Sequence, residues 1–267
     1  MTQLRSFSYG GGVQSTAALI LAKRREIDFK LFLFSNVGEN SEHPATLKYV
    51  REIAMPYATQ HGLDLRELGH KRRDGNEHSL YNNLMRDEIR FIDIPMYQPK
   101  GGYGRRSCTS NFKIRRIAIA LRRLGATKDN PAVVGMGISL DEFERVKVNS
   151  SQPDQVLEYP LIDLRLTRSD CVKIIEAEGL PIPPKSSCWF CPFHGMPAWQ
   201  ALHRDYPDLF QKAVELEDRL STRSAELGKG KLYLSYKKVP LEDAINNQRD
   251  MFADDDLGMC EAGYCHT

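Results

Sequence analysis

Two of the six cysteines form a C-x-x-C motif, Cys188 and Cys191, and Pro192 follows the second of them directly. Two thiolates at this spacing can hold one zinc ion or two irons of one cluster, and proline after a cysteine recurs in iron–sulfur sequences. A redox-active dithiol has the same spacing. The motif therefore predicts metal or redox chemistry and leaves zinc, a cluster and a dithiol open.

A run of three glycines lies where a strand-like stretch turns into a helix-like one, and hydroxyl residues surround it. Consecutive glycines let backbone amides approach an anion closely at a helix N-terminus, and the hydroxyls add donors. No lysine stands where a Walker A motif requires it, and the spacing is not the G-x-G-x-x-G of a dinucleotide-binding fold. The sequence predicts phosphate binding by a loop of another type, with a ligand-free tight turn as the alternative. The residues concerned are Ser8, Gly10, Gly11, Gly12, Gln14, Ser15 and Thr16.

An acidic pair and an arginine, Asp141, Glu142 and Arg145, follow a predicted strand. They stand at the edge where open α/β sheets bind ligands. Either carboxylate could hold Mg²⁺ beside a triphosphate, and Arg145 could neutralise the charge that develops on departing pyrophosphate. The alternative is a helix N-terminus at which acidic residues complement the helix dipole.

A strongly basic segment spans residues 100–128, with nine Lys or Arg residues and no Asp or Glu. Its charges could bind ATP phosphates or a nucleic-acid backbone, or could simply solvate a helix face. The segment also contains Cys108, and a basic loop that carries a thiol favours a polyanionic macromolecular substrate. Near the end of the sequence, Cys260 and Cys265 form a second possible dithiol, which could carry persulfide or resolve a disulfide. Incidental cysteines in a tail are the alternative there.

The composition of the 267 residues is that of a globular protein, with 41% hydrophobic residues, 27% charged residues and a net charge of +2. No run approaches the roughly 18 apolar residues that span a bilayer, and the first residues do not resemble a signal peptide. Disordered, fibrous and integral membrane proteins are set aside on these grounds, and we expect a cytoplasmic location. Six cysteines are too few for a small disulfide scaffold, so metal or redox chemistry remains their expected use.

The elements that must position these residues alternate along the chain. Strand patterns occupy residues 4–9, 29–35, 63–68 and 132–138, and helix patterns occupy residues 14–23, 44–61, 112–124 and 167–178. Strands separated by helices imply right-handed crossovers and a mostly parallel sheet. We therefore predict a doubly wound α/β fold, a mostly parallel sheet flanked by helices, with a C-terminal helical region. The expected boundary divides residues 1–195, which contain the nucleotide loop and the C-x-x-C motif, from residues 196–267.

The glycine loop resembles the PP-loop of the ATP pyrophosphatases and of the phosphoadenosine phosphosulfate (PAPS) reductases, whose pattern is S-G-G-x-D-S. Gly11, Gly12 and Ser15 match this pattern, whereas Gly10 replaces the serine and Gln14 replaces the aspartate. Three later stretches extend the resemblance in the family's order, over about residues 5–195. They are residues 34–39 (FSNVGE), where the reductases have a strand ending in D-T-G, residues 137–145 (GISLDEFER), similar to G-x-R-x-x-E-S-x-x-R, and residues 159–163 (YPLID), which resemble H-P-L-x-x-W.

The resemblance implies an adenine nucleotide alpha-hydrolase-like fold that binds ATP with Mg²⁺. It adds Phe34, Asn36 and Gly137 to the expected nucleotide site. It also supports a catalytic role for the acidic pair and the arginine, because they lie in one of the matching stretches. Since Gln14 stands where the family has an aspartate, the metal requirement of the reaction is left open.

The same resemblance connects three cysteines into one site. Cys108, with Lys113 five residues later, stands where cluster-bearing reductases have C-C-x-x-x-K, and one cysteine of that pair is absent here. Cys108, Cys188 and Cys191 would then hold a 4Fe–4S cluster with one iron open, as in PP-loop tRNA thiolation enzymes, where that iron can hold sulfide. A structural zinc site that combines these cysteines with His194 is the alternative.

The resulting hypothesis is an enzyme that adenylates a substrate oxygen with ATP, releases pyrophosphate and supports sulfur transfer through the cluster. The expected substrate is nucleic acid, a tRNA base or DNA, bound through the basic segment, and the expected sulfur donor is an enzyme such as a cysteine desulfurase. A homodimer is left open. One alternative is a sulfonucleotide reductase of the PAPS or APS type, in which Cys265 or Cys260 attacks the substrate as the cysteine of the family's E-C-G-L-H motif does. The other is a non-catalytic nucleotide-binding module with a structural zinc.

Overall fold

The protein has a doubly wound α/β fold built on one five-stranded, all-parallel sheet with the strand order β3-β2-β1-β4-β5. The computed structural model describes residues 3–70, 75, 78–87 and 91–246, so the predicted dithiol of Cys260 and Cys265 lies outside the described residues. The strands are β1 (Arg5–Tyr9), β2 (Leu31–Ser35), β3 (Asp64–Leu68), β4 (Ala132–Met136) and β5 (Gln155–Glu158). The predicted fold class is confirmed, including the helices at the C-terminal end.

The four helical stretches that the sequence predicts are present, and the described chain departs from α geometry in three places. The α-helices are α1 (Val13–Lys23), α2 (Pro44–Tyr49), α3 (Met55–Gln60), α4 (Leu80–Leu84), α5 (Arg115–Arg123), α6 (Pro160–Asp163), α7 (Arg168–Ala177), α8 (Met196–Asp205), α9 (Pro207–Glu226) and α10 (Leu241–Asn246). Wider π-helical turns, Val50–Ala54 and Thr109–Ile114, precede α3 and α5, and a 3₁₀ turn spans Leu140–Arg145. The first π turn stands where Pro56, which has no N–H to donate, is expected to disturb a regular helix.

Strand β5 is the strand of the sheet that the sequence does not predict, and the short helices α4, α6 and α10 are not predicted either. It has four residues, and only Gln155 of them is buried. A short edge strand lacks the continuous apolar run that marks the buried strand β2, in which all five residues are buried. The pairing of β5 with β4 extends the sheet beyond the switch in strand order between β1 and β4.

Three apolar cores hold these elements together. One lies between the sheet and helices α1, α3 and α7, and it includes Cys171, which is fully buried as a hydrophobic residue. A smaller core packs α5 against β2 on the other face of the sheet. The third surrounds the C-x-x-C loop, where Trp189 and Phe190 pack with residues of α8, α9 and α10. Among the described residues, no helix is long and apolar enough to cross a membrane.

We expect Glu217 to make the stability of the C-terminal helices depend on pH. This α9 residue is 5% exposed and accepts a hydrogen bond of 3.0 Å from the Leu241 backbone N–H at the start of α10. Burial raises the pKa of Glu217 to about 7, above its usual value of 4.5. Because the folded-state pKa is the higher one, its contribution is complete below about pH 4.5 and is lost as the pH rises through 7.

Urea unfolding measured at several pH values between about 4.5 and 8 tests this expectation. The Glu217→Gln protein should lose less stability than the native protein across that range, by up to about 3 kcal/mol, since each pKa unit corresponds to about 1.4 kcal/mol. Glu215→Gln, an exposed position on the same helix, is the control and should leave the slope unchanged. If the free energy of unfolding changes with pH by the same amount in the native and Glu217→Gln proteins, Glu217 is not the source of the pH dependence.

Candidate functional site

The glycine loop forms the turn between β1 and α1, and its conformation explains why glycine is needed. Gly11 has a φ of +78°, and a Cβ atom there would lie 3.1 Å from the Thr46 side chain. Ser15 Oγ donates to the Gly12 carbonyl and accepts from the Gly12 N–H, at 3.0 and 3.1 Å. Thr16 Oγ1 is hydrogen bonded to the Tyr9 hydroxyl at 3.0 Å in the core. The two hydroxyls therefore hold the start of α1 in this structure.

A large pocket opens at the carboxyl ends of β1 and β4, where the strand order reverses. Open α/β sheets bind their ligands at this point. The pocket has about 860 Å³ of empty volume, part of it open to solvent, and its lining is mainly apolar. Four of the predicted site residues line it: Ser8, Gly10, Phe34 and Arg145. Two residues that are not among the predicted site residues, Lys147 and Tyr159, also line it.

The other predicted nucleotide residues lie around this pocket, where they connect the elements that form it. Gln14, in the place of the family's aspartate, accepts a hydrogen bond of 3.0 Å from Arg168 at the start of α7. Asn36 donates to Glu39 and Glu67, at 2.9 and 2.7 Å. Gly137 follows β4, at the base of the loop that leads to the 3₁₀ turn.

The predicted catalytic residues Asp141, Glu142 and Arg145 have three different environments. Asp141 is exposed and accepts a hydrogen bond of 3.0 Å from the Arg168 backbone N–H, which caps α7. Glu142 and Arg145 form a buried salt bridge of 2.7 Å, with side chains 5% and 2% exposed. Burial raises the pKa of Glu142, an effect that Arg145 opposes. Arg145 alone of the three lines the pocket, and its partner fixes the guanidinium there.

Cys108, Cys188 and Cys191 line one smaller cavity, although 80 residues of sequence separate the first from the other two. The Cys108 backbone N–H donates to the Asp93 carbonyl at 2.8 Å, just before the π turn. Cys188 pairs with Glu42 in an isolated antiparallel bridge, and the Cys191 N–H donates to the Cys188 carbonyl at 3.1 Å. The cavity is thus bounded by the segment after β2 and by the two cysteine-bearing loops.

The thiols of this cavity are neutral when no metal is bound, and a cation lies beside them. Burial raises the pKa of Cys108 to about 11, and it raises the pKa of Cys188 and Cys191 as well. Without a metal the thiols therefore stay protonated near neutral pH, and a metal would have to displace their protons. Lys113 lies beside them; burial lowers the pKa of this amine, but Glu42 and the three cysteines raise it, so that it stays cationic.

The donor set in this cavity fits an iron–sulfur cluster in its chemistry. Three cysteine sulfurs are ligands that iron–sulfur clusters and zinc both accept, and the nearby cations Lys113 and Arg106 would offset the negative charge of a thiolate-bound cluster. Within the described ranges, no three His, Cys, Asp or Glu side chains are arranged as a site for a metal ion. His194, the fourth ligand of the zinc alternative, is hydrogen bonded through Nε2 to Ser187 Oγ at 2.8 Å. It does not line the cysteine cavity.

The large pocket, which we call the nucleotide pocket after the predicted nucleotide-site residues that line it, shares a wall with the cysteine cavity. Thr109 and Lys113, both in the π turn that follows Cys108, line both spaces. π-Helical turns are frequent at functional sites.

Ser186 is a contact residue that the sequence reasoning missed. Its hydroxyl donates to the Gly10 carbonyl, and its Cβ lies 3.6 Å from where a side chain on Gly12 would begin. The proline-rich stretch before Cys188 therefore lies against the glycine loop. The closeness of Ser186 to the C-x-x-C motif is the one feature of the sequence that points to it. The proline-rich stretch itself has no residue pattern that predicts which part of the protein it packs against.

The basic segment is divided between structural and exposed charges. Arg122 forms a salt bridge of 2.7 Å with Asp154, and Arg116 donates to the Gly69 carbonyl at 2.6 Å. Arg115 and Arg123 are exposed on α5. Arg106 lies over the Phe193 ring, 5.3 Å from its centroid, on the side of the cysteine cavity. Fewer charges are therefore available to a polyanion than the count in the sequence implies.

Gly38 allows the segment that supports Cys188 to pass close to α4, so we expect substitution there to damage the site. Its φ is +129°, and a Cβ atom would lie 2.2 Å from Ser79 Cβ and 2.8 Å from Ser79 Cα. Gly38→Ala should destabilise the protein by about 3 kcal/mol, from overpacking together with backbone strain. The iron content of protein prepared without oxygen should fall with it.

Gly62→Ala provides the matched control for this substitution. Gly62 also has a positive φ, +69°, but nothing lies within 4 Å of a Cβ atom there. This variant should therefore lose only the smaller backbone contribution, about 1 kcal/mol, and retain its iron. Stability is measured by thermal unfolding and iron content by metal analysis, for Gly38→Ala and Gly62→Ala alike. Equal losses of stability in the two variants would show that the contact with Ser79 is unimportant.

Comparison with known proteins gives likeness at the level of solved structures. No protein-family model and no curated protein matches the chain. A phosphoadenylyl-sulfate (PAPS) reductase from Candida auris, in its phosphate complex, is 14% identical, with a TM-score of 0.40, 68% of this chain covered and 76% of that one. The U34-tRNA thiolase NcsA from Methanococcus maripaludis, with its 4Fe–4S cluster, is 13% identical, with a TM-score of 0.42, 82% of this chain covered and 72% of that one. Both belong to classes that the sequence motifs resemble.

Proposed function

We propose that the protein is a PP-loop ATP pyrophosphatase that adenylates a nucleic-acid substrate and supports the replacement of the activated oxygen by sulfur. The observation that carries this proposal is the shared wall, in which Thr109 and Lys113 line both the nucleotide pocket and the cysteine cavity. A nucleotide and a sulfur-bearing group would be neighbours across one turn of helix. This proximity is what a reaction requires when activation by ATP precedes attack by sulfur.

Adenylation requires that the α-phosphorus of ATP be attacked by a substrate oxygen while pyrophosphate leaves. The apolar pocket would hold the adenosine, and the glycine loop at the N-terminus of α1 would hold the phosphates. Arg145, fixed by Glu142, would neutralise the charge that develops on pyrophosphate. Mg²⁺ would accompany the triphosphate. Of the two predicted carboxylates, Glu142 is in a salt bridge with Arg145, so the exposed Asp141 would be the one to bind the metal ion.

Sulfur transfer completes the proposed reaction. Cys108, Cys188 and Cys191 would hold a 4Fe–4S cluster, and a cluster iron that the protein does not ligate would supply a place for sulfide. Sulfide forms its bond to the substrate as the bond to the adenylated oxygen breaks and AMP leaves. A donor such as a cysteine desulfurase supplies persulfide sulfur, so a thiol reductant must provide two electrons to release that sulfur as sulfide. Lys113 would hold positive charge between the departing AMP and the three cysteines. The basic segment, through its exposed Arg115 and Arg123, would contribute to nucleic-acid binding.

Purification without oxygen followed by assays of iron, AMP and pyrophosphate tests the proposal. We expect about four irons per chain and ATP cleavage to AMP that is stimulated by tRNA or by DNA. A protein with one zinc and no iron, or one that neither polymer stimulates, would contradict it. A sulfonucleotide reductase would instead consume PAPS or APS, and deletion of residues 258–267 would abolish that reduction but spare any ATP cleavage. A homodimer and a cytoplasmic location remain predictions.

A further inference from the structure

A second, larger cleft lies on the opposite side of the Cys108 segment from the nucleotide pocket. It has about 1510 Å³ of empty volume, open to solvent, between residues 91–98, 104–111 and 223–232. Ile94 lines both this cleft and the cysteine cavity, so the two spaces are neighbours. None of the residues in the sequence-predicted site lines the cleft, and neither ATP nor the three cysteines accounts for it.

Residues 104–108 separate the cleft from the cysteines, and their side chains alternate between the two. Arg105 and Ser107 line the cleft, whereas Arg106 and Cys108 line the cysteine cavity. A group bound in the cleft would therefore lie one layer of backbone away from the thiols, close to the reaction but not in it.

The charge of the cleft is positive. Arg105, Arg223 and Lys229 all line it, the first from the segment before Cys108 and the other two from the end of α9 and the turn after it. The Arg223 guanidinium donates to the Asp87 backbone carbonyl, whereas Arg105 and Lys229 are exposed. The one carboxylate among the lining residues, Asp93, is 8% exposed and accepts hydrogen bonds from Asn83 and Asn111, both of 2.9 Å. Both of its oxygens are thus occupied, and Arg105 and Lys229 are the lining cations that a ligand can reach.

The cleft also has an aromatic platform. Phe91 lines it with 79% of its surface exposed, and Leu227 on the other side is 60% exposed. A large aromatic side chain is rarely left this exposed without a partner, and a cationic groove beside an exposed ring is the combination that binds single-stranded nucleic acid. Bases stack on the ring and phosphates follow the cations.

We propose that this cleft binds a single-stranded segment of polynucleotide next to the nucleotide being modified, with a base on Phe91 and phosphates on Arg105 and Lys229. The inference rests on the proposed function, because it names the form in which the nucleic acid is presented. A strand in the cleft would hold its neighbouring nucleotide at the cysteine layer, and a duplex would not unstack a base onto Phe91. The site thus selects unpaired substrate.

Fluorescence anisotropy with labelled oligonucleotides of about ten residues, oligo-U and oligo-dT against a duplex of the same length, tests the cleft directly. We expect the protein to prefer both single strands over the duplex. Phe91→Ala should weaken binding about tenfold. Arg105→Ala/Lys229→Ala should reduce the slope of log K against log salt by about 1.4, the value for two phosphate contacts on a single strand.

Two control variants separate the cleft from other basic surfaces. Lys212→Ala, an exposed cation on α9 that does not line the cleft, should bind strands as the native protein does. Arg115→Ala/Arg123→Ala tests α5 as the rival surface. If this pair loses strand binding while Phe91→Ala and Arg105→Ala/Lys229→Ala retain it, the cleft proposal is wrong.

The measurements also separate failure of the cleft from failure of the proposed function. Iron content and AMP formation are assayed on the same variants. If the Phe91→Ala protein binds strands as the native protein does and still forms AMP in response to a polymer, the cleft proposal is wrong and the proposed function stands. A native protein that binds neither strand and forms no AMP with either polymer would overturn both.

Discussion

Cys188→Ser protein, prepared without oxygen, should contain almost no iron, whereas we expect about four atoms in the native chain, and it should transfer no sulfur. The reason is that three thiols of the described residues line the cavity, so the loss of one leaves too few ligands for a cluster. The same result is expected for Cys191→Ser and Cys108→Ser. Iron and sulfide analysis, together with the visible absorption of the purified protein, provide the measurement.

Cys171→Ala is the matched control for these substitutions. Cys171 is fully buried in the core between the sheet and α7, away from the cavity. Its substitution should cost about 1 kcal/mol of stability, because a small apolar group is removed, and should leave the iron content unchanged. If Cys108→Ser kept a full complement of iron while Cys188→Ser lost it, the site would be a two-cysteine one and the assignment of Cys108 would be wrong.

Lys113→Met should reduce ATP cleavage to AMP by about 10²- to 10³-fold, the usual loss when a group that stabilises developing charge is removed. The amine lines both the nucleotide pocket and the cysteine cavity. Its removal also leaves the Glu42 carboxylate, 1% exposed, without the charge that lowers its pKa against burial. We therefore expect a loss of stability as well, of about 2 kcal/mol.

The double variant Lys113→Met/Glu42→Gln separates the two effects. Neutralising Glu42 removes the uncompensated buried charge, so thermal unfolding should return toward that of the native protein. AMP formation should stay low, because the cation at the shared wall is still missing. Recovery of AMP formation together with stability would mean that Lys113 acts only by balancing Glu42.

The sequence carries the parts of the fold that depend on long local patterns. The strand patterns of β1 to β4 and the capping box of Thr167 and Asp170 predict the sheet and the start of α7, and the structure has both. Strand β5 escapes because an exposed edge strand of four residues has neither length nor periodicity. Its place in the sheet is determined by pairing with β4, a contact that no local pattern encodes.

The site shows the same division between local and distant information. Gly10 at the end of β1 and the thiol spacing of Cys188 and Cys191 are local features of the sequence. In the structure Gly10 lines the large pocket, and the two cysteines line the smaller cavity. The side-chain hydroxyl of Thr16 could not be placed in this way. Whether it faces a ligand or the Tyr9 hydroxyl depends on a strand seven residues away and on how α1 rotates against it.

Lys113 illustrates why charge runs are hard to interpret from sequence. It belongs to a segment with nine basic residues, and charge alone does not distinguish it from Arg122 or Arg116; what singles it out is its spacing from Cys108, which resembles the family's C-C-x-x-x-K. In the structure Arg122 holds Asp154 and Arg116 holds a backbone carbonyl, while Lys113, in a π turn, lines the shared wall.

The hydrogen bond from Ser186 to the Gly10 carbonyl has a thermodynamic consequence. Ser186 stands two residues before Cys188, and Gly10 opens the loop that we propose receives phosphates, so one hydrogen bond connects the two sites over a short path. If occupancy of the thiols raises the affinity of the loop for nucleotide, then nucleotide must raise the affinity of the thiols for metal by the same factor. Loading of the metal and capture of ATP would then be one linked equilibrium, and a chain that had lost its metal would also be poorly prepared to consume ATP.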